Sequence, residues 1–579
     1  MSQTNLLFVG KVAPTILKQM RRATQPGFWS DRIKTHRTGI VVKAIKKYCS
    51  QLTQDQILLK RRSNSTDEAV IEDFMSYEQP LLRVKRDYHY NRALHVTAKL
   101  FNPGKKLRPI HFPDQRYYPW TLNVSAEAPW TYQPQVGRLI QEKQRDGLID
   151  DNRRSFHNLY DEIFIKNRLL IHLIKDGHEH FWTPERTPIP YEFTNLHARA
   201  HVVDYDEPDK IRAVFGVPKL LLMAEQHFIW PLQETYLNGH VDSPMLWGNE
   251  MIKGGWRKLW NKQTQKLSPN TVLSTDWSQF DKRALHEVID DVHNIWRSYF
   301  TFEEGYVPTN FYPHSTTESW RLENLWKWMC HSIKHTPICL PDGKKYIWTR
   351  NGIASGYQQT QLLDSFVNTI MILTILSETG VNIESPNFFI KVQGDDCLIA
   401  FDEQMFAQYG TTYLGRLADL ALERFNAKLS DKKSQISNDL NGIKVLGYSN
   451  ILMRPTRTDA DLLSHLLYPE RSWGLPELAA SAVGIAWASL ACSKTVYLVC
   501  KDVHSYLTEK LGIKPNPKAY TWLQRIGALT LTIYHLERFP TFSEIYDSTY
   551  SVEERSLQQR ERLYPTEPQS AGGFMFYPY

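Results

Sequence analysis

The chain has no CxxC pair and no tight cysteine cluster: its six cysteines fall at positions 49, 330, 339, 397, 492 and 500. This spacing argues against a disulfide-stapled scaffold and a structural zinc site, and points to a reducing compartment. No apolar run reaches the ~20 residues that a bilayer crossing needs. The longest small and apolar stretch, Leu478 to Cys492, has 15 residues and contains Ser481 and Ser489, so a buried helix is expected there. The N-terminus lacks the basic, then apolar, then small pattern of a secretory signal. Internal repeats, low-complexity tracts and obvious linkers are also missing.

Acidic residues are scarce in one region. Residues 1–62 hold 13 Lys/Arg against two acids, Asp31 and Asp55, a local net of +11 in a chain whose total is +7. The other 517 residues hold 56 basic and 60 acidic side chains, so all of the excess lies in the N-terminal tenth. Such a segment suits an anionic partner, and lining a path for nucleic acid is the expected use; a solvated basic arm is the plainer one. The chain is otherwise well supplied. Its 579 residues correspond to about four domain-sized units. Hydrophobic residues at 42% and charged residues at 23% describe a soluble globular protein. The 71 aromatics suffice for cores and for stacking surfaces.

Three constellations carry chemistry. In the first, Val272 and Leu273 lead as a short strand into Asp276-Trp-Ser-Gln-Phe-Asp281. Leu285, Val288, Ile289, Val292, Ile295, Trp296 and Tyr299 then recur at helical spacing, which predicts an amphipathic helix. Asp276 is thus expected at a strand end and Asp281 at a helix entry, where an acid can also serve simply as a cap. In the second, apolar runs flank Gln393-Gly394-Asp395-Asp396, which reads as a hairpin with its turn at Gly394. Two adjacent carboxylates at such a tip repel each other unless divalent cations bind between them. Joined to Asp276, they could hold two metals ~3.5–4 Å apart, the arrangement for an in-line nucleotidyl transfer.

The third is Gly352-Ile-Ala-Ser355-Gly356, followed by a helical pattern in which Thr360, Asp364 and Asn368 recur at i, i+4 and i+8 beside an apolar face. A solvated helix face would favour Lys and Glu; this stripe has short hydrogen-bonding side chains instead. Gly352, Ser355 and Gly356 leave the loop free to approach a nucleic-acid backbone closely.

In this order the three pieces resemble the viral RNA-dependent RNA polymerases. Asp276-x4-Asp281 is similar to their motif A, Ser355-Gly356-x3-Thr360 to motif B, and Gly394-Asp395-Asp396 to motif C. Lys210-Ile-Arg212-Ala-Val-Phe-Gly216, with Arg199 upstream, resembles motif F, whose cations hold the incoming triphosphate. Asp431-Lys-Lys433-Ser434 resembles motif D, which makes Lys433 the candidate general acid. Val445-Leu-Gly-Tyr448 through Arg457 resembles the motif E turn that grips the primer. Arg116-Tyr-Tyr-Pro-Trp120, Ser125-Ala-Glu-Ala-Pro-Trp130, Leu466-Leu-Tyr-Pro-Glu-Arg471 and Asp364 resemble features of partitiviruses, which have double-stranded RNA genomes. The resemblance covers roughly residues 105 to 475.

The resemblance implies an α+β fold: a closed right hand with fingers, a palm of antiparallel sheet flanked by helices, and a helical thumb. The expected divisions are a basic extension joining the fingers (1–95), fingers (96–265), palm with a fingers insertion near 300–345 (266–455), thumb (456–550) and tail (551–579). It implies two Mg²⁺ or Mn²⁺ ions on Asp276, Asp395 and Asp396. Ribonucleoside triphosphate would be bound by Arg199, Lys210, Arg212, Asp281, Ser355, Gly356, Thr360, Asp364 and Asn368. Template and product RNA and viral capsid protein are the implied partners, with no membrane, and the virion interior within the host cytoplasm is the implied location. Two alternatives stay open on the sequence: a reverse-transcriptase-like polymerase, against which Asp281 speaks because those enzymes place a bulky side chain there, and a non-enzymatic capsid-associated RNA-binding protein. The C-terminal Phe574-Met-Phe-Tyr-Pro-Tyr579 is either a plain end of the chain or an anchor, to capsid protein or to the polymerase's own channel.

Overall fold

The computed structural model describes residues 4–23, 31–237, 241–264, 269–309, 312–470, 474–516 and 538–550. Arg471 and the aromatic Phe574–Tyr579 tail lie outside them.

A four-stranded antiparallel sheet carries the three acids. Its strands, in spatial order, are Phe389–Gln393, Asp396–Phe401, Thr271–Thr275 and Gln435–Ser437. All five residues of Thr271–Thr275 are buried, as in a central strand covered on both faces. The helix Thr360–Glu378 packs against Phe389–Gln393 and against the helices Tyr88–Leu100, His286–Tyr299 and Thr412–Phe425. This helix is long and apolar enough to cross a membrane by length and composition, a property the sequence reading did not pick out. In the fold 94% of that stretch is buried inside the protein. It is the core helix on which the sheet rests.

The helix expected from Asp281 to Tyr299 is broken. A short turn of helix, Phe280–Arg283, is followed by extended backbone at Ala284 and Leu285 before His286–Tyr299 begins. The cause is tertiary. Leu285 pairs with Asn351, the Gly352 N–H donates to the Ala284 carbonyl at 2.9 Å, and the His286 N–H donates to Arg350 O at 2.7 Å. This bridge, made by the two backbone hydrogen bonds to the 350–352 segment, outweighs local helix propensity. The apolar positions are nevertheless buried as their spacing predicts, except Ile295, which is half-buried against the same core.

A second, five-stranded mixed sheet has the order Leu6–Lys11, Lys344–Trp348, Ile338–Cys339, Thr194–Ala200, Ile211–Gly216. Its first strand comes from the basic N-terminal segment. The next part of that segment packs elsewhere: Val41, Ala44, Ile45 and Ile57, from the helices Asp31–Tyr48 and Gln51–Leu58, share a core with Leu463, Leu478 and Val496 of the C-terminal helices. The helix Leu475–Ala488 is largely buried there, in line with the reading of the Leu478–Cys492 stretch.

The N-terminal segment therefore ties the five-stranded sheet to the C-terminal helices, and its cations are partly used for that purpose. Arg37 is buried and donates to Leu466 O (2.8 Å) and Leu467 O (3.2 Å) at the end of the helix Asp459–Leu467. Arg62 donates to Ala200 O and Tyr468 O, Lys60 pairs with Asp204, Arg61 with Asp209 and Lys47 with Asp502. The expected RNA-lining arm is thus in part a strap between the five-stranded sheet and the C-terminal helices. Arg37→Ala strips two helix-end carbonyls of a charged donor in a buried setting and should cost about 2–3 kcal/mol. A lowered thermal unfolding midpoint with normal expression is the expected readout; an unchanged midpoint would contradict the strap.

Candidate active site

The turn that joins Phe389–Gln393 to Asp396–Phe401 has two residues, Gly394 and Asp395, because Gln393 and Asp396 are the last pair of the ladder. Gly394 takes φ +63°, which glycine adopts without the Cβ penalty. On the other side, Cys397 pairs with Thr275, so one step further along the register Asp396 comes opposite Asp276. Three carboxylates therefore gather at one end of the sheet.

Their electrostatics follow from this. Burial, then the neighbouring Asp395 and Asp276, pushes Asp396 up to about 7, and burial and Asp276 also raise Asp395. Hard oxygen donors that repel one another are the chemistry that suits a divalent cation. Among the described residues, however, no group of three His, Cys, Asp or Glu side chains is drawn together closely enough to hold an ion. The donor set fits in kind. The Asp276 side chain is 43% exposed at the open end, and Lys433 Nζ lies 3.9 Å from its Oδ1. Its backbone is fixed: the Asp276 N–H donates to Ser434 Oγ at 3.0 Å, and its carbonyl accepts from Ser430 N at 2.8 Å.

The helix Thr360–Glu378 braces the turn. Asn368 Nδ2 donates to Gly394 O and to Asp395 O, both at 3.0 Å, and its Oδ1 accepts from the Trp277 indole at 2.9 Å. Ser365 Oγ accepts from Gly394 N at 2.8 Å and donates to Gln361 O at 2.6 Å. Asn368, expected at the nucleotide, is spent within the protein as a bracket between the turn and the strand-end segment. Thr360 Oγ1 donates to Ala354 O at 2.7 Å, which pins the loop before the helix, and Ser355 is exposed in that loop. The role of Ser365 was missed, and a serine one position off the polar stripe gives no signal in the sequence.

Asp281 and Asp364 face each other in a buried setting. Burial, then Asp395, raises Asp281 to about 6, against the cations Arg212 and Lys282. Burial, then Asp281, pushes Asp364 well above the carboxylate range. Asp364 Oδ1 is buried without a hydrogen-bond partner, which leaves an acceptor free beside Asp281.

The cations approach from the five-stranded sheet. Arg199 and Arg212 are opposite each other across the Thr194–Ala200/Ile211–Gly216 ladder, where like charges repel. Arg199 is neutralised by Glu470: its Nε and Nη2 each lie 2.8 Å from a carboxylate oxygen of that residue. Arg212 and Lys210 are exposed. Burial, then the charges of Arg212 and Lys433, lowers Lys210, while Asp276 acts in the opposite sense. Lys210, Arg212, Lys433 and Asp276 therefore share one electrostatic neighbourhood. The primer-grip resemblance falls on a separate three-stranded sheet, Lys444–Val445, Tyr448–Ile451 and Arg454–Thr456.

The segments resembling partitivirus features do structural work around this centre. The Tyr118 hydroxyl lies 3.2 Å from Oε1 of both Gln233 and Gln358, and Trp120 Nε1 donates to Gln115 O at 2.8 Å. Glu127 accepts from Asn195 Nδ2 at 2.7 Å and lies 3.4 Å from His197, bracing the strand that carries Arg199.

An antiparallel sheet that presents paired carboxylates at a hairpin turn, opposite a strand-end carboxylate and facing a cationic strand, is the palm of a template-directed polymerase. The family model described as viral RNA-dependent RNA polymerase matches residues 204–507. The RNA-directed RNA polymerase of White clover cryptic virus 1 (isolate Boccardo/2004), a partitivirus, is 32% identical over 545 residues, 87% of each chain. That of Atkinsonella hypoxylon virus (isolate 2H) is 25% identical over 512 residues, 82% of this chain and 75% of the relative. The Sicinivirus 3Dpol RNA-dependent RNA polymerase structure superposes with a TM-score of 0.54 at 13% identity, covering 90% of this chain and 96% of that one, a likeness of fold. The chain belongs to the viral RNA-dependent RNA polymerases. It is an RNA-directed RNA polymerase of the partitivirus-like kind, and the reverse-transcriptase and non-enzymatic alternatives fall away.

Proposed function

We propose that this polymerase copies and transcribes a double-stranded RNA genome, adding ribonucleotides to an RNA 3′-hydroxyl with two divalent ions held by Asp276, Asp395 and Asp396. The observation that supports this most is the register that brings Asp276 opposite Asp396 beside the Asp395 turn. Polymerases of this family use divalent ions; when bound, Mg²⁺ or Mn²⁺ stabilises the attacking 3′-oxygen and the leaving pyrophosphate.

The protein's own groups divide the remaining work. Arg212 and Lys210 offset the triphosphate charge, and Arg199 joins them when it leaves Glu470. Lys433, beside Asp276, protonates the departing pyrophosphate in this reading, which its 3.9 Å approach to the Asp276 carboxylate supports. Asp281 and Asp364 receive the ribose hydroxyls, with the free Asp364 Oδ1 as an acceptor and Thr360 holding the loop above. Ser355 and Gly356 shape that loop. The partitivirus resemblance supports a place inside the virion in the host cytoplasm, with capsid protein as partner.

The test uses the purified chain, a single-stranded RNA template, labelled NTPs and Mg²⁺ or Mn²⁺. The expected result is a full-length product that resists single-strand ribonuclease and disappears with EDTA. No incorporation with either ion would overturn the reading. Asp281→Ala removes a charged partner for the 2′-hydroxyl and should shift the rNTP-to-dNTP preference by about 10- to 100-fold toward dNTPs. Competition between the two substrates measures it, and an unchanged ratio would remove Asp281 from sugar selection.

A further inference from the structure

The segment ahead of the recognisable motifs contains a helix, Asp67–Met75, capped by Thr66. Its Asp73 reaches two parts of the active site at once. Asp73 Oδ2 accepts the backbone N–H of Ala213 at 2.8 Å, on the free edge of the Ile211–Gly216 strand, one residue from Arg212. Asp73 Oδ1 accepts from Lys282 Nζ at 2.5 Å, one residue after Asp281. Lys282 is held further by Asp73 O (3.2 Å) and Ser76 Oγ (2.7 Å), and both side chains of the pair are largely buried, at 14% and 18% exposure. The helix itself is anchored through Phe74, buried against Trp348, and through the neighbouring Tyr77, which is edge-on to Phe215 of the same strand.

A single carboxylate thus spans the strand that carries the triphosphate cation and the turn that carries the sugar-reading acid. We propose that Asp73 is a positioning residue that sets the distance between Arg212 and Asp281, and so matches the triphosphate and ribose subsites to one nucleotide. Asp73 touches no substrate. It acts through Ala213 and Lys282. The bidentate arrangement is what makes one residue sufficient: the two bonds leave from opposite oxygens of a rigid, planar group. This inference rests on the nucleotide roles given above to Arg212 and Asp281.

Asp73→Asn preserves shape and one acceptor but breaks the ion pair, and Lys282→Gln breaks the same pair from the other side. Both should raise KM for ribonucleotides about tenfold while template affinity stays within about twofold, and both should narrow rNTP over dNTP discrimination. The double variant should be no worse than either single one, since the pair is lost once. Asp73→Glu, which retains the charge but lengthens the arm, should recover stability without recovering KM. Arg212→Ala separates the two levels of the argument. If it raises KM for NTPs while Asp73→Asn and Lys282→Gln leave KM and discrimination unchanged, the positioning role is overturned and the nucleotide reading stands. If Arg212→Ala also leaves KM unchanged, the nucleotide reading itself fails. A lowered unfolding midpoint with unaltered KM in the surviving enzyme would reduce Asp73 to a structural residue and overturn the proposal.

Discussion

Asp395→Ala is expected to abolish RNA synthesis while leaving the protein folded. The expectation has two parts with separate causes. Asp395 is the second residue of a two-residue turn that is held by its backbone: Asn368 grips the carbonyls of Gly394 and Asp395, and Ser365 takes the Gly394 N–H. None of these bonds uses the Asp395 carboxylate, so its removal does not release the turn. Removing a group that is buried and repelled by its neighbours should even relieve the native state slightly, because burial and Asp276 already raise its pKa. Catalysis fares differently. An ion that stabilises a transition state contributes several kcal/mol, and each 1.36 kcal/mol is about tenfold in rate, so loss of one of its ligands should cost about 10³-fold or more. Nucleotide incorporation and the unfolding midpoint, measured on the same preparation, check both parts. Activity above about a tenth of the parent would remove Asp395 from the centre of the mechanism.

The order of the motifs made this centre legible, and the hairpin and strand reading placed its acids at one end of a sheet. Strand alternation and a glycine turn are local properties, so they survive folding. The sequence did not show where the cations are directed. Arg199 belongs by resemblance to the triphosphate set, yet Glu470, 271 residues later, takes both arms of its guanidinium. Arg37 and Arg62 belong to a segment that looked like an RNA-binding arm, yet they cap the end of the helix Asp459–Leu467. Such pairings depend on long-range contacts, and a local pattern carries no trace of them. Asn368 shows the same limit from the other side. Its helical register was right, but a short polar side chain can serve a ligand or a neighbouring backbone, and here the turn engages it. The helix break at Ala284 and Leu285 has a similar origin, because the 350–352 segment that imposes it lies some 65 residues away.

Gly356 shows how a residue can be singled out for an incomplete reason, and it carries the second large expectation. Its freedom was assigned to a loop approaching nucleic acid. In the fold it approaches protein first: a Cβ at this position would lie 2.1 Å from the Phe215 carbonyl oxygen and 3.0 Å from a Val217 methyl. The obstacle is backbone on the strand that presents Arg212, so no rotamer change can relieve it. Gly356→Ala must therefore push the loop and that strand apart. Overpacking of this kind costs about 1–3 kcal/mol, and more where backbone has to move. The displacement acts between the strand that carries Arg212 and the loop that precedes the helix Thr360–Glu378. Stability and nucleotide binding should fall together, with a clearly lower unfolding midpoint and a KM for NTPs raised about tenfold or more. Phe215 offers no compensating side-chain change, because the clash is with its carbonyl. Gly356→Ser should be at least as severe as Gly356→Ala, which separates a packing constraint from a need for polarity in the loop. If Ser restored what Ala lost, the loop's role would lie in hydrogen bonding to RNA and not in its seat against the strand.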